Sequence, residues 1–275
     1  MNKVLVKAGQ SGSQYWTDIW HFRELLYFLA WRDIIVRYKQ AVFGVAWAII
    51  RPLLTLCIFT MIFSKAGHFP THGLPYSVVA FAGIWPWQFF ASALSESSNS
   101  LVNNSQLVSK IYFPRLLVPI GSLTVAFVDF LLSGAIFLVL ILYHHILPTW
   151  KLALLPLFFI MAFATASGSG ILLSALNVKY RDVRMIVPFI AQFGFFLSPV
   201  VIPIESIVTN PKWLVWYYAN PMVSVIQGFR WAITGRDEFA LYWPGFAMSM
   251  AVLIIIFVIG MFYFRRTEKT LADVI

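Results

Sequence analysis

Charge is what this 275-residue chain has least of: Asp, Glu, Lys and Arg make up 11% of it, against 60% hydrophobic residues. Soluble domains carry about 25% charge, so an ordinary water-soluble enzyme is excluded. The mean hydropathy of +0.79 predicts an all-α polytopic membrane protein. A single cysteine, Cys57, excludes internal disulfides. Eleven acidic residues without an Asp-x-Asp pair leave little for a membrane-embedded glycosyl- or acyltransferase, which needs convergent carboxylates or histidines. No G-x-x-x-x-G-K-[ST] phosphate loop occurs, so this chain does not hydrolyse nucleotide by that route; G-x-S-x-G and H-E-x-x-H are also missing. No metal site is expected: Pro70 separates His68 from His72, and adjacent His144 and His145 cannot share a helix face. The first 25 residues lack a compact apolar core ahead of a small-residue cleavage site, so no removed signal peptide is expected.

What is present is apolar sequence in span-length runs. Residues 1–41 read as a cytoplasmic N-terminus carrying an amphipathic interface helix, Tyr27–Gln40. Tyr27, Trp31, Ile34, Ile35 and Tyr38 share one helical face, with Arg32, Asp33, Arg37 and Gln40 opposite. Residues 42–264 read as a six-span domain, with spans at about 42–63, 77–95, 118–143, 153–176, 186–203 and 244–264. Within 206–235, Asn220 and Pro221 break an apolar stretch into two pieces too short to cross, which predicts two short re-entrant outer helices. Residues 265–275 form a cytoplasmic tail. The net charge of +9 could suggest nucleic acid, but the basic residues flank the spans, and membrane topology explains them. The inner set comprises Lys3, Lys7, Arg23, Arg32, Arg37, Lys39, Lys110, Arg115, Lys179, Arg181, Arg184, Arg265, Arg266 and Lys269, which is fourteen. The outer set is Lys65, Lys151, Lys212, Arg230 and Arg236, which is five. This bias places both termini in the cytoplasm.

Ionisable groups inside spans cost about 2.5–3.5 kcal/mol on insertion scales and rarely face lipid. Asp129, near the middle of the third span, therefore either lines a path between helices or makes a structural hydrogen bond. Arg51, roughly 9 Å past Val45 along a helix, either snorkels to the inner headgroups or grips a substrate phosphate with its planar fork. Trp85, Trp87, Phe89 and Phe90 cluster around Pro86, and Trp213, Trp216, Tyr217 and Tyr218 gather near the outer face. Each group is either an interfacial belt or part of an aromatic path for sugars. The Ser- and Asn-rich stretch after the second span offers helix caps, and 103–111 could lie as a short helix across the inner face.

Four stretches together carry a family resemblance. They are RDIIVRYKQAVFGVAWAIIRPLL (Arg32, Asp33, Arg37, Tyr38, Lys39, Gly44, Trp47, Pro52), SKIYFPRLLVP (Lys110, Tyr112, Arg115, Pro119), NVKYRDVR (Asn177, Tyr180, Arg181, Asp182) and SPVVIP followed by YYANPMVSVIQGFRWAITG (Ser198, Asn220, Pro221, Met222). In order over about residues 20–270, they resemble the permease subunit of ABC-2 exporters of lipid-linked polysaccharides, whether O-antigen, capsule or teichoic acid. Arg51 departs from the uncharged residue such permeases place there. The resemblance implies a bacterial inner-membrane homodimer with two copies of a separate ABC ATPase. ATP and Mg would then be bound by that partner, no cofactor by this chain, and an undecaprenyl-diphosphate-linked glycan would be the cargo. Arg32, Asp33, Arg37, Lys39, Lys110, Arg115, Arg181 and Asp182 become ATPase-coupling or inner-leaflet contacts. Trp47, Arg51, Trp85, Trp87, Phe89, Phe90 and Asp129 become path residues, and Trp216, Tyr217, Tyr218, Asn220 and Pro221 an outer gate. The rival transport reading is a channel or secondary transporter working without an ATPase, which would want more midplane charge than Asp129.

In a Cys57→Ser background, the topology predicts that an impermeant maleimide applied to spheroplasts labels Lys212→Cys. Lys3→Cys and Lys269→Cys should stay unlabelled until the cells are opened.

Overall fold

The computed structural model describes residues 12–39, 44–66, 71–208 and 210–268, and among these every regular element is helical. Lys3, Lys7, Gln40, Val42, His68, Pro70, Lys269 and most of the 265–275 tail lie outside the described residues. The helices are α1 (Gly12–His21), α2 (Arg23–Lys39), α3 (Ala46–Ala66), α4 (Tyr76–Asn103), α5 (Ser105–Lys110), α6 (Leu117–Tyr143), α7 (Leu155–Lys179), α8 (Val183–Leu197), α9 (Ile204–Ile207), α10 (Pro211–Tyr217), α11 (Pro221–Thr234) and α12 (Trp243–Glu268). Five of them, α3, α4, α6, α7 and α12, are long and apolar enough to cross a membrane. The span expected at about 186–203 falls on α8, which has 15 residues, or about 22 Å of rise. It stops at Leu197 because Pro199 lacks a backbone donor and disfavours helix in the residue before it.

Helix α4 is the axis of the bundle, buried along most of its length and wrapped by α6, α7, α11, α3 and α8. It runs past the expected span end at residue 95 as far as Asn103. The polar stretch stays helical because its side chains bond back to preceding carbonyls: Ser98 Oγ to Ser95 O, Asn99 Nδ2 to Ser95 O, and Ser100 Oγ to Ser97 O. Asn177 of α7 then donates to Ser98 O at 2.9 Å, tying the two helices. Asn104 also bonds backwards, to Ser100 O, and makes no side-chain cap on α5.

Proline and glycine set the other contacts. Pro52 in α3 leaves the Ala48 carbonyl without its helical donor, and Ser133 Oγ of α6 approaches that oxygen at 3.2 Å. Between α7 and α12, a Cβ on Gly260 would lie 2.4 Å from Gly168 O, so only glycine permits this backbone approach. Asn210 and Asn220 each accept a hydrogen bond from the N–H two residues on, with Pro211 and Pro221 opening α10 and α11.

The bundle has two chemically distinct ends. At one, α1, α2, α5 and the C-termini of α4, α7 and α12 enclose a second core around Leu29, Leu101, Phe113, Leu117, Ile171 and Phe264. Arg265 lies over the Tyr15 ring at 4.7 Å, and the Arg115 N–H donates to Glu268 at 2.8 Å. Burial, reinforced by the neighbouring Glu268 carboxylate, pushes the Tyr15 phenol up. At the other end sit α9–α11 and the Lys151–Asp237 pair, 2.6 Å apart, which holds the Asp237 carboxyl below its usual range.

Helix α2 begins at Arg23, four residues before the expected start, and α1 precedes it. The N-terminal part of its aromatic face does not meet the bundle: Tyr27 and Trp31 stack on one another and stay exposed, while Leu26, Leu29 and Ala30 pack against Gly121 of α6. Small and aliphatic side chains allow the closer approach of helix axes.

A Cβ on Gly83 of α4 would sit 2.1 Å from Val200 O. Gly83→Ala should cost about 1–3 kcal/mol through forced backbone displacement, read as a lower unfolding temperature in detergent. Gly121→Ala, whose Cβ would meet its nearest neighbour at 3.5 Å, should show no such loss.

Candidate functional site

A groove of about 950 Å³ opens on the flank of the bundle, bordered by the end of α2, by α3, α4 and α6, and by Phe195 of α8. Its charged mouth is built from three helices. Arg37 of α2 sits between two carboxylates: Nη2 is 2.6 Å from Asp129 Oδ2 on α6, and Nη1 is 2.8 Å from Glu96 Oε1 on α4. Tyr38, the next residue, donates its hydroxyl to Asp129 Oδ1 at 2.5 Å. Both oxygens of Asp129 are thus satisfied by successive residues of one helix, the condition for holding a carboxylate within an apolar segment. Burial, then the Asp129 hydrogen bond and charge, push the Tyr38 phenol up, so it remains a donor at physiological pH.

Asp129 makes the structural contact, linking α6 to α2, and it also lines the groove. Arg37, expected on the polar face of its helix, is turned into the bundle. Arg51 lines the same groove from α3, exposed, and forms no ion pair among the described residues. Trp47 is 44% exposed beside it. The other aromatics are packed instead. Trp85 stacks on Phe130 at 4.5 Å and donates to the Phe130 carbonyl, and Trp87 and Phe89 are buried with it, so all three border the groove while packed in the core. Phe90 is buried against Trp87 and does not line the groove.

The remaining basic-end residues divide in two. Arg32 donates to Asp33 at 2.7 Å and to Asn104 Oδ1 at 2.6 Å, bracing α2 against the joint between α4 and α5. Arg115 is occupied by Glu268. Lys39, Lys110, Arg181 and Asp182 are exposed on the ends of α2 and α5 and in the turn from α7 to α8. None of the four lines the groove.

At the opposite end, Trp216 projects outward, while Tyr218 is buried and its carbonyl accepts from Ser249 Oγ at 2.6 Å. Burial pushes both the Tyr217 and Tyr218 phenols up. Asn220 Nδ2 reaches Ser198 Oγ at 2.8 Å, joining the start of α11 to the segment after α8. Arg230, counted in the outer set and expected within the short helices of 206–235, lies on α11 and is fully buried. It donates to Val79 O and Val200 O, and its Nη1 has no partner among the described residues. Its position within an apolar run was the available signal. Glu96, in a serine-rich stretch, carried no local signal, because its partner is 59 residues away.

The Asp129 arrangement predicts non-additivity. Arg37→Gln and Asp129→Asn should each destabilise the detergent-solubilised protein, and the double variant should lose less than the sum, with a coupling of about 0.5–3 kcal/mol. Tyr38→Phe should cost about 1–2 kcal/mol.

Comparisons with known proteins bear on what this architecture serves. The O-antigen export system permease protein RfbA of Myxococcus xanthus is 23% identical over 252 residues, covering 92% of this chain and 96% of the relative. Two proteins of that name from Klebsiella pneumoniae are 26% and 28% identical, covering 92% and 75% of this chain and 95% and 79% of their own lengths. Residues 24–234 match the family described as ABC-2 type transporter, a stretch that holds the groove, Arg37, Asp129 and both short helices α10 and α11. The chain is a multi-pass membrane protein that belongs to the ABC-2 type transporter family.

Proposed function

We propose that this permease subunit exports a lipid-linked polysaccharide, undecaprenyl-diphosphate-linked O-antigen, across the bacterial inner membrane, driven by ATP hydrolysed with Mg on a separate ABC ATPase. The observation that carries the reading is the match to O-antigen export permeases over nearly their whole lengths. Two copies pair with two ATPase chains, and both termini lie in the cytoplasm. Helices α3 and α8 support the pairing: they flank the groove and expose large apolar side chains, Leu54, Ile58 and Met61 on one and Met185, Phe189 and Phe193 on the other. A second copy against these faces would convert an open flank into an enclosed path.

The mechanism follows from the two ends. The exposed Lys39, Lys110, Arg181 and Asp182 form the surface on which the ATPase bears, and α2 carries its movement to the groove through Arg37. The glycolipid headgroup enters from the inner leaflet, where the basic residues attract its phosphates. The short helices around Asn220 and Pro221 form the outer gate, since irregular backbone at membrane depth must face protein or water. Nucleotide-driven closure shifts the pair between sealed and open states.

Deleting the gene in its host should remove O-antigen from the cell surface and leave lipid-linked glycan inside, and tagged protein should co-purify with an ABC ATPase. Loss of capsule or teichoic acid instead would reassign the cargo. An unchanged surface, or transport by the isolated chain without an ATPase, would end the reading.

A further inference from the structure

The groove contains an imbalance that its charges make specific. Arg37 and Arg51 contribute two positive charges, Glu96 and Asp129 two negative ones, so the cluster is neutral as it stands. The two carboxylates are not equivalent. Asp129 is 19% exposed, holds Arg37 Nη2 at 2.6 Å and is also bound by Tyr38; Glu96 is 41% exposed and holds only Nη1, at 2.8 Å. Asp129 is therefore the fixed seat of the guanidinium, and Glu96 occupies an edge from which it can swing into solvent. Arg51 faces the same space without a carboxylate among the described residues.

The geometry points to an exchangeable diphosphate-binding site in which Glu96 competes with the ligand for Arg37. An incoming diphosphate oxygen takes Nη1 as Glu96 leaves, Arg51 binds a second oxygen, and Asp129 keeps Arg37 in place throughout. A guanidinium presents separate donor edges, which permits one edge to exchange while the other stays bound. The released carboxylate remains nearby as a like charge, so binding is weaker than two arginines alone would make it. A conduit needs that weakness, because a ligand held too tightly does not leave. The inference rests on the export reading for the source of the diphosphate, a lipid carrier, and on the groove alone for the site.

The test uses the permease–ATPase complex in phosphatidylcholine vesicles, with undecaprenyl diphosphate and, separately, inorganic diphosphate as probes. Glu96→Gln should tighten binding by roughly fivefold or more, since one nearby like charge is removed, and should slow turnover of export. Arg51→Gln should weaken binding by a similar factor, and Arg51→Lys should recover it only in part. Arg51 is exposed and Glu96 lies half-buried at the edge of the cluster, so the unfolding temperature of each variant complex is measured beside its binding. The same pattern with inorganic diphosphate assigns the recognition to the phosphates; the pattern with the lipid alone assigns it to the headgroup in the membrane. Either supports the site. A Glu96→Gln variant that binds equally or more weakly makes Glu96 a structural brace and overturns it, as does an indifferent Arg51→Gln. If deletion leaves the cell surface unchanged while these shifts hold, the export reading falls and the site stands.

Discussion

A carboxylate within a long apolar helix has to be satisfied from another element, and Asp129 draws its partners from α2. That requirement brings the C-terminal end of α2 against α6, turns Arg37 inward and lets its second edge reach α4 at Glu96. Three helices distant in sequence thereby share one charge cluster. It forms one charged border of the groove. Breaking such a cluster is costly because the remaining charge loses its partner in a poorly hydrated place.

The far end of the molecule follows the same rule with different chemistry. Arg230 lies fully buried with no ion pair among the described residues, and its donors meet two main-chain carbonyls, Val79 O and Val200 O. The segment 198–203, which cannot continue α8, is held by that arginine, by Asn220 through Ser198, and by the Tyr76 hydroxyl on Val201 O. Gly83 makes room for the Val200 carbonyl. The C-terminal end of α8 is consequently anchored, while the body of the helix keeps a large apolar face outward.

The long apolar helices, the break at Asn220 and Pro221 and the basic flanks were legible in the chain, because each depends on local composition or on a residue's own backbone chemistry. A run of about twenty apolar residues needs no partner to be recognised, and proline lacks its N–H wherever it stands. The aromatic cluster around Pro86 was legible only as a cluster: its rings stack on Phe130 and Phe137, two turns of another helix, which no periodicity within α4 specifies.

By itself, then, the sequence determined that the protein is helical, apolar and two-ended, and that Asn220 and Pro221 break one apolar stretch into short helices. Only the tertiary structure decided that Arg37 faces Asp129 and Glu96, that the Arg230 guanidinium is turned into the interior, and that the segment after α8 is buried. The reason is physical: helix formation is governed by neighbours a few residues away, whereas the partner of a charge is chosen by which helices pack together, across separations of 59 and 151 residues in the Arg37–Glu96 and Arg230–Val79 contacts.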